Sequence, residues 1–203
     1  MGDNKATAAS GHHAAGSWRD EPVRIVPYDP TWSARFEEER SALVGVLEEW
    51  APGGIHHVGS TSVPGLASKP IIDILVGVTD LERSRSCFER LAGLGYLYAP
   101  YRTEEMHWFC KPDPGRRTHH LHLVPTDSAR FREELLLRDY LRGHPHVAAE
   151  YGELKRRLAQ TFENDREAYT SAKADFIRAT LRRARATPTS AHDIYGESWI
   201  DRS

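Results

Sequence analysis

The chain has 203 residues, 39% of them apolar, enough for one well-filled core with an appended helical part. Lys and Arg number 27 against 29 Asp and Glu; this formal charge of -2 excludes a globally basic nucleic-acid binder but not a local basic groove. Two isolated cysteines, Cys87 and Cys110, make neither a disulfide framework nor a zinc knuckle and point to a reducing, cytoplasmic setting, and no apolar run is long enough to suggest a membrane span.

Residues 1–20 are rich in Ala, Gly and Ser, lack the apolar stretch of a signal peptide, and read as a disordered leader. Alternation over residues 23–26 predicts a short strand, and Asp29-Pro30 a turn, with Asp29 or Thr31 capping a helix over residues 32–50. Trp32, Phe36, Leu43, Val44 and Leu47 recur at helical spacing there, and Pro52-Gly53-Gly54 ends the helix. Residues 55–58 and 71–78 read as core strands, and residues 80–94 as a helix stopped by Gly93 and Gly95. Further strands follow at 96–99, 107–111 and, after the Pro112-Asp113-Pro114-Gly115 turn, 119–124. Helical periodicity then covers 131–141, 147–162 and 165–184, and residues 187–203 read as a disordered tail. The expected fold is α/β (α+β): a small mixed sheet flanked by helices, with a helical C-terminal extension, in one domain over residues 21–186.

Two segments carry candidate chemistry. In His57-Val58-Gly59-Ser60-Thr61-Ser62, the glycine admits close backbone approach, and Ser60, Thr61 and Ser62 offer hydroxyl and amide donors to a phosphate. Lys69 adds a point charge suited to a phosphate oxygen. Asp73 interrupts an apolar strand, sharing a face with Ile71 and Leu75, and an acid there costs several kcal/mol unless paired or metal-bound. The bland alternative is a serine-rich connection with a capping Asp. The second segment is Arg116-Arg117-Thr118-His119-His120-Leu121-His122. His120 and His122 project from one strand face as a bidentate metal platform that Asp73 can complete from a neighbouring strand, and satisfied core histidines are the alternative. Arg102, Lys111, Arg116 and Arg117 are candidate phosphate clamps, Glu104 and Glu105 are spare carboxylates or a solvated loop, and Arg138, Asp139 and Arg142 read as an ion-pair network between helices.

These residues resemble the GrpB family, a group placed in the nucleotidyltransferase superfamily. The resemblance runs from Val26-Pro27-Tyr28-Asp29-Pro30-Thr31-Trp32 through Gly59 to Leu75 and Arg117 to His122. It continues through Arg138-Asp139-Tyr140-Leu141-Arg142, Tyr151-Gly152-Glu153-Leu154-Lys155 and Arg166-Glu167-Ala168-Tyr169 to Lys173 and Phe176. It implies a Gly-Ser turn for a triphosphate, here Gly59 and Ser60, and two strand carboxylates one residue apart with a third on a later strand, together binding divalent metal. Ile71 falls at the first carboxylate position, Asp73 at the second, and His120 or His122 where the third is looked for.

Such a donor set shifts preference from Mg toward Mn or Zn, because imidazole suits the softer ions, and it equally lets a histidine serve as general base. The function this implies is metal-assisted transfer of a nucleotidyl or phosphoryl group from a nucleoside triphosphate to a small acceptor. In that reading Asp73, His120 and His122 handle metal or protons, Gly59, Ser60, Thr61, Ser62, Lys69 and Arg117 hold phosphate, and the cofactor is a divalent ion (Mg, Mn or Zn). Two alternatives remain on the same scaffold: a degenerate nucleotide- or metabolite-binding protein, favoured by Ile71, and a carboxylate-activating, amide-forming enzyme.

Overall fold

The computed structural model describes residues 21–186; the leader and tail expected at 1–20 and 187–203 lie outside the described residues. The strand expected at 23–26 is instead a strap. Val26 makes an isolated antiparallel bridge with Ser68 (2.9 and 3.0 Å), while the Val23 amide donates to Glu163 O at 2.7 Å and its side chain packs with Ala159 and Tyr169. The C-terminal helices draw the segment away from the sheet. Helix α1 spans Thr31–Leu47, and the Asp29 carboxylate accepts from the Thr31 amide (2.9 Å) and hydroxyl (2.8 Å) at its start. Trp32, Phe36, Leu43 and Leu47 are buried at the expected spacing, but Val44 is 44% exposed, since one further residue turns about 100° off the buried stripe.

Strand β1 (Ile55–Val58) leads through Gly59 and a short 3-10 turn, Ser60–Ser62, toward strand β2 (Ile72–Val78). The single helix expected over 80–94 is broken into α2 (Leu81–Ser84), a 3-10 turn (Arg85–Cys87) and α3 (Phe88–Gly93). The Ser84 hydroxyl donates back to Leu81 O at 2.9 Å, the kind of local bond that competes with helical continuation. Strands β3 (Leu97–Tyr98), β4 (His107–Pro112) and β5 (Arg117–Pro125) follow. Helices α4 (Ala129–Gly143), α5 (Pro145–Thr161), α6 (Arg166–Ala172) and α7 (Ala174–Ala186) complete the described chain. The single helix expected at 165–184 is thus two, jointed at Lys173.

The sheet order is β1-β2-β5-β4-β3, with β2 and β5 parallel and every other neighbouring pair antiparallel. One face, carrying Ile72, Ile74, Val76, Leu121 and Leu123, packs on α1 and α3 through Leu43, Leu47 and Leu91. Each such buried side chain is worth about 1.5–3 kcal/mol. The other face is divided. Val58, Leu75, Met106 and Val124 pack under Phe131 and Leu135 of α4, while Val63 and Leu66 pack against α4, α5 and α7. Asp73, His120 and His122 lie on this divided face, beside the ground that α4 covers.

Gly77 brings β2 against the turn after α1: a Cβ there would meet Gly53 Cα at 2.7 Å and Phe131 at 2.8 Å, whereas one at Gly45 meets nothing within 4 Å. Gly77→Ala should lower stability by about 1–3 kcal/mol through overpacking, and Gly45→Ala in α1 should raise it by about 0.5–1 kcal/mol. Urea unfolding of the two variants checks both signs.

Candidate functional site

The register of the central parallel pair builds the site. Asp73 is paired with His120 and Leu75 with His122, so the acid and both imidazoles share one face, as their spacing predicts. Ligand atoms of the three residues lie within 4.8 Å of one another. His120 donates Nδ1–H to Asp73 Oδ1 at 2.9 Å, which leaves its Nε2 lone pair pointing elsewhere. That Nε2 is buried without a protein partner, and so are both ring nitrogens of His122. Buried polar atoms are almost always paired. Unpartnered imidazole nitrogens beside one carboxylate are a donor set that fits a bound cation.

Charge states agree with this. Burial works to raise the Asp73 carboxyl, yet the His120 hydrogen bond and the positive groups around it win and hold it well below the ordinary range. Its side chain is densely surrounded and still 30% exposed, the mark of a recess reached by solvent. Burial pushes His122 down to about 3 and His120 down as well, so both rings are neutral near pH 7, as ligation requires.

Gly59 abuts the same carboxylate. It adopts φ +67°, and a Cβ there would fall 2.3 Å from Asp73 Oδ2. The turn after it is braced from within. Thr61 donates to Ile71 O at 3.2 Å and receives His57 Nε2–H at 3.0 Å, while the Ser62 hydroxyl donates to Gly59 O at 2.6 Å. These two hydroxyls, read from the sequence as phosphate donors, are spent on the turn; Ser60 is half-buried at its start. Helix α4 pins the turn from outside: Arg138 donates to His57 O (3.3 Å) and Arg142 to Ser62 O (2.9 Å), with Arg138 paired to Asp139. The ion-pair network expected there therefore also holds the candidate cradle.

Lys69 lies near the site, its ammonium 5.2 Å from the Tyr169 ring centre. Arg117 covers the Trp108 ring (5.2 Å), which in turn leans on His120 (5.1 Å). Glu105 pairs with Arg130 (3.1 Å) and Arg102 (3.7 Å). The carboxylate that approaches the histidines is Glu134 of α4, 3.9 Å from His122 Nδ1 and 3.0 Å from Arg130 Nε; burial pushes it up to about 7. Sequence reading missed Glu134, and it missed the roles of Lys155 and Lys173, whose ammoniums sit 4.7 Å and 4.5 Å from the rings of Tyr151 and Tyr169. Both stand four residues after a buried tyrosine, which places each on the inward face of its helix segment. That spacing was the available signal.

The GrpB protein profile matches residues 22–183, and the chain belongs to that family. A UPF0157 protein of Pseudomonas aeruginosa is 41% identical over 82% of this chain and 69% of its own. A Bacillus subtilis UPF0157 protein, YqkA, is 33% identical over 80% of this chain, which spans only 47% of that protein. A dephospho-CoA kinase of Mycolicibacterium paratuberculosis is 30% identical over 80% of this chain and 46% of its own. Among solved structures, the conserved protein GrpB from Enterococcus faecalis superposes with a TM-score of 0.72 at 36% identity, covering 79% of this chain and 96% of that one.

Two outcomes follow. Gly59→Ala should cost about 2–4 kcal/mol, since it combines a left-handed φ with a clash against Asp73; an unchanged melting temperature would refute the close packing. Acid should destabilise the metal-free protein. Burial holds His57 and His119 at about 4 and His122 at about 3, so below 6.5 the unfolded chain takes up protons that the folded one refuses. Glu134 acts oppositely, its stabilising contribution being lost as pH rises through about 7. With His57, His119, His120 and His122 all shifted down against one carboxyl shifted up, the melting temperature should fall by at least about 5 °C between pH 7.5 and pH 5. A flat or rising profile on acidification contradicts the neutral-imidazole assignment.

Proposed function

We propose that this chain is a cytoplasmic, metal-assisted transferase that moves a nucleotidyl or phosphoryl group from a nucleoside triphosphate to a small acceptor. The observation that carries the reading is the set of orphaned nitrogens of His120 and His122 beside the Asp73 carboxylate. Asp73, His120 and His122 would hold a divalent ion, and two imidazoles with one carboxylate favour Mn, Fe, Ni or Zn over Mg. When bound, the ion supplies Lewis-acid polarisation of a phosphoryl oxygen. Glu134 stands 3.9 Å from His122 Nδ1, and a closer approach on ion binding would let its carboxylate orient the ligating imidazole. Its raised affinity for a proton also suits it to exchange one with an acceptor near neutral pH. Gly59 and Ser60 bring the backbone close to the substrate, and Lys69 supplies charge for its phosphates.

One observation favours a second reading. Ile71, at the position where the superfamily pattern asks for a carboxylate, is buried at 7% exposure, and its carbonyl is held by Thr61. A chain lacking that ligand can bind its nucleotide without turning it over.

The metal-free protein titrated with Zn, Mn and Mg should bind one ion per chain, Mg most weakly. His120→Ala and His122→Ala should each reduce Zn affinity by more than about 100-fold, and Glu134→Gln by about 10–100-fold. Nucleotide turnover over an acceptor panel should require the ion and vanish in Asp73→Asn. Ion and nucleotide binding without turnover supports the second reading, and absence of ion binding sinks the first.

A further inference from the structure

Three lysines converge beside Asp73 from distant parts of the chain. Lys69 comes from the loop before β2, Lys155 from α5, and Lys173 from the joint between α6 and α7. Lys69 and Lys173 lie against the same ring, that of Tyr169, at 5.2 Å and 4.5 Å, and Lys155 lies against Tyr151 at 4.7 Å. Lys155 is 2% exposed, and its buried Nζ has no hydrogen-bond partner. The groups acting on the trio are almost all of its own sign. Lys69 feels Arg166 and Arg117, Lys155 feels Arg156, and Asp73 is the one carboxylate acting on all three. That carboxylate already accepts from His120.

A buried lysine nitrogen without an acceptor is costly whether charged or neutral, and a tyrosine face returns only part of that cost. Lysines that serve structure are paired instead. On the opposite face of this sheet, Lys111 reaches Glu39 at 2.6 Å. The charge around Asp73 is therefore left for a ligand to balance. A carboxylate ligand brings one charge and two oxygens, too little for three ammoniums. A chain of two or three phosphates brings at least three charges and enough oxygens for each lysine to hold one.

We propose that Lys69, Lys155 and Lys173 form a pocket for the di- or triphosphate chain of the substrate, set between Asp73 and the rings of Tyr151 and Tyr169. This deepens the transferase reading and rests on it for the placement of the reacting group. The phosphate donors are then lysines of the loop and the C-terminal helices, in place of the Thr61 and Ser62 hydroxyls. Burial pushes Lys155 down to about 6 and Lys69 to about 7, so near pH 7 and without an anion Lys155 is largely a neutral amine and Lys69 is half charged; a polyphosphate draws protons onto them as it binds.

The test titrates the full chain, stripped of metal with EDTA, with inorganic tripolyphosphate, pyrophosphate, orthophosphate and sulfate by calorimetry near pH 7. Tripolyphosphate should bind at least about tenfold more tightly than orthophosphate, and Lys155→Met and Lys173→Met should each weaken it at least about tenfold. Lys155→Met should melt no lower than the wild type, because it removes an unpartnered buried amine; if it fails to fold, Lys69→Met and Lys173→Met decide the matter. The proposal is overturned if tripolyphosphate binds no better than sulfate, or if folded lysine variants bind it like the wild type. His122→Ala separates the two readings. It should lose Zn but keep tripolyphosphate, so a protein that binds the anion and never the ion keeps this inference while the transferase reading falls.

Discussion

The alignment of β2 with β5 is the constraint on which the rest depends. Side chains alternate along a strand, so a slip of one residue would carry His120 and His122 into the apolar layer under α1 and bring Leu121 and Leu123 out beside Asp73. The alternating apolar residues of both strands forbid that slip. Hydrophobic burial on one face thereby sets a 2.9 Å hydrogen bond on the other. Gly59 follows from the same placement: once Asp73 is fixed, the preceding turn runs so close to its carboxylate that no side chain fits.

The two faces of the sheet treat charge differently. Behind the sheet, Lys111 and Glu39 are joined, with His119 3.9 Å from the same carboxylate, and the group ties β4 and β5 to α1. A buried pair of that kind is costly to break and close to neutral as a whole. In front, the imidazole nitrogens and the Lys155 Nζ are buried with nothing to satisfy them. Buried polar groups in that state are costly, and the proposed ligands are the groups that would satisfy them.

The strands were the most legible part of the chain. Apolar runs and their Gly and Pro borders placed all five within a few residues, and the same-face geometry of His120 and His122 came directly from the period of two. Helix interruptions were not legible. Neither the break after Ser84 nor the joint at Lys173 carries a glycine or proline to announce it. Residues 23–26 alternate as a strand should, but the backbone partners nearest to them belong to Glu163 and Ser68 rather than to a sheet edge. At the site, hydroxyl-bearing residues drew attention as phosphate donors because of their chemistry. Only the coordinates reveal that Thr61 and Ser62 are consumed by their own turn, and that Glu134, Lys155 and Lys173 arrive from helices whose polar residues look solvated in one dimension.

The strap before α1 also has a mechanical consequence. Lys69 and Lys173 stand about half the chain's length apart, and the five strands with their imidazole cluster are all in place in the sequence before α4 begins. Val26 is bonded to Ser68, next to Lys69, while Val23 is bonded to Glu163 and packs on Tyr169, the ring that Lys173 lies against. One short segment thus spans the two regions that supply Lys69 and Lys173, and a shift of the C-terminal helices is passed directly to the loop before β2.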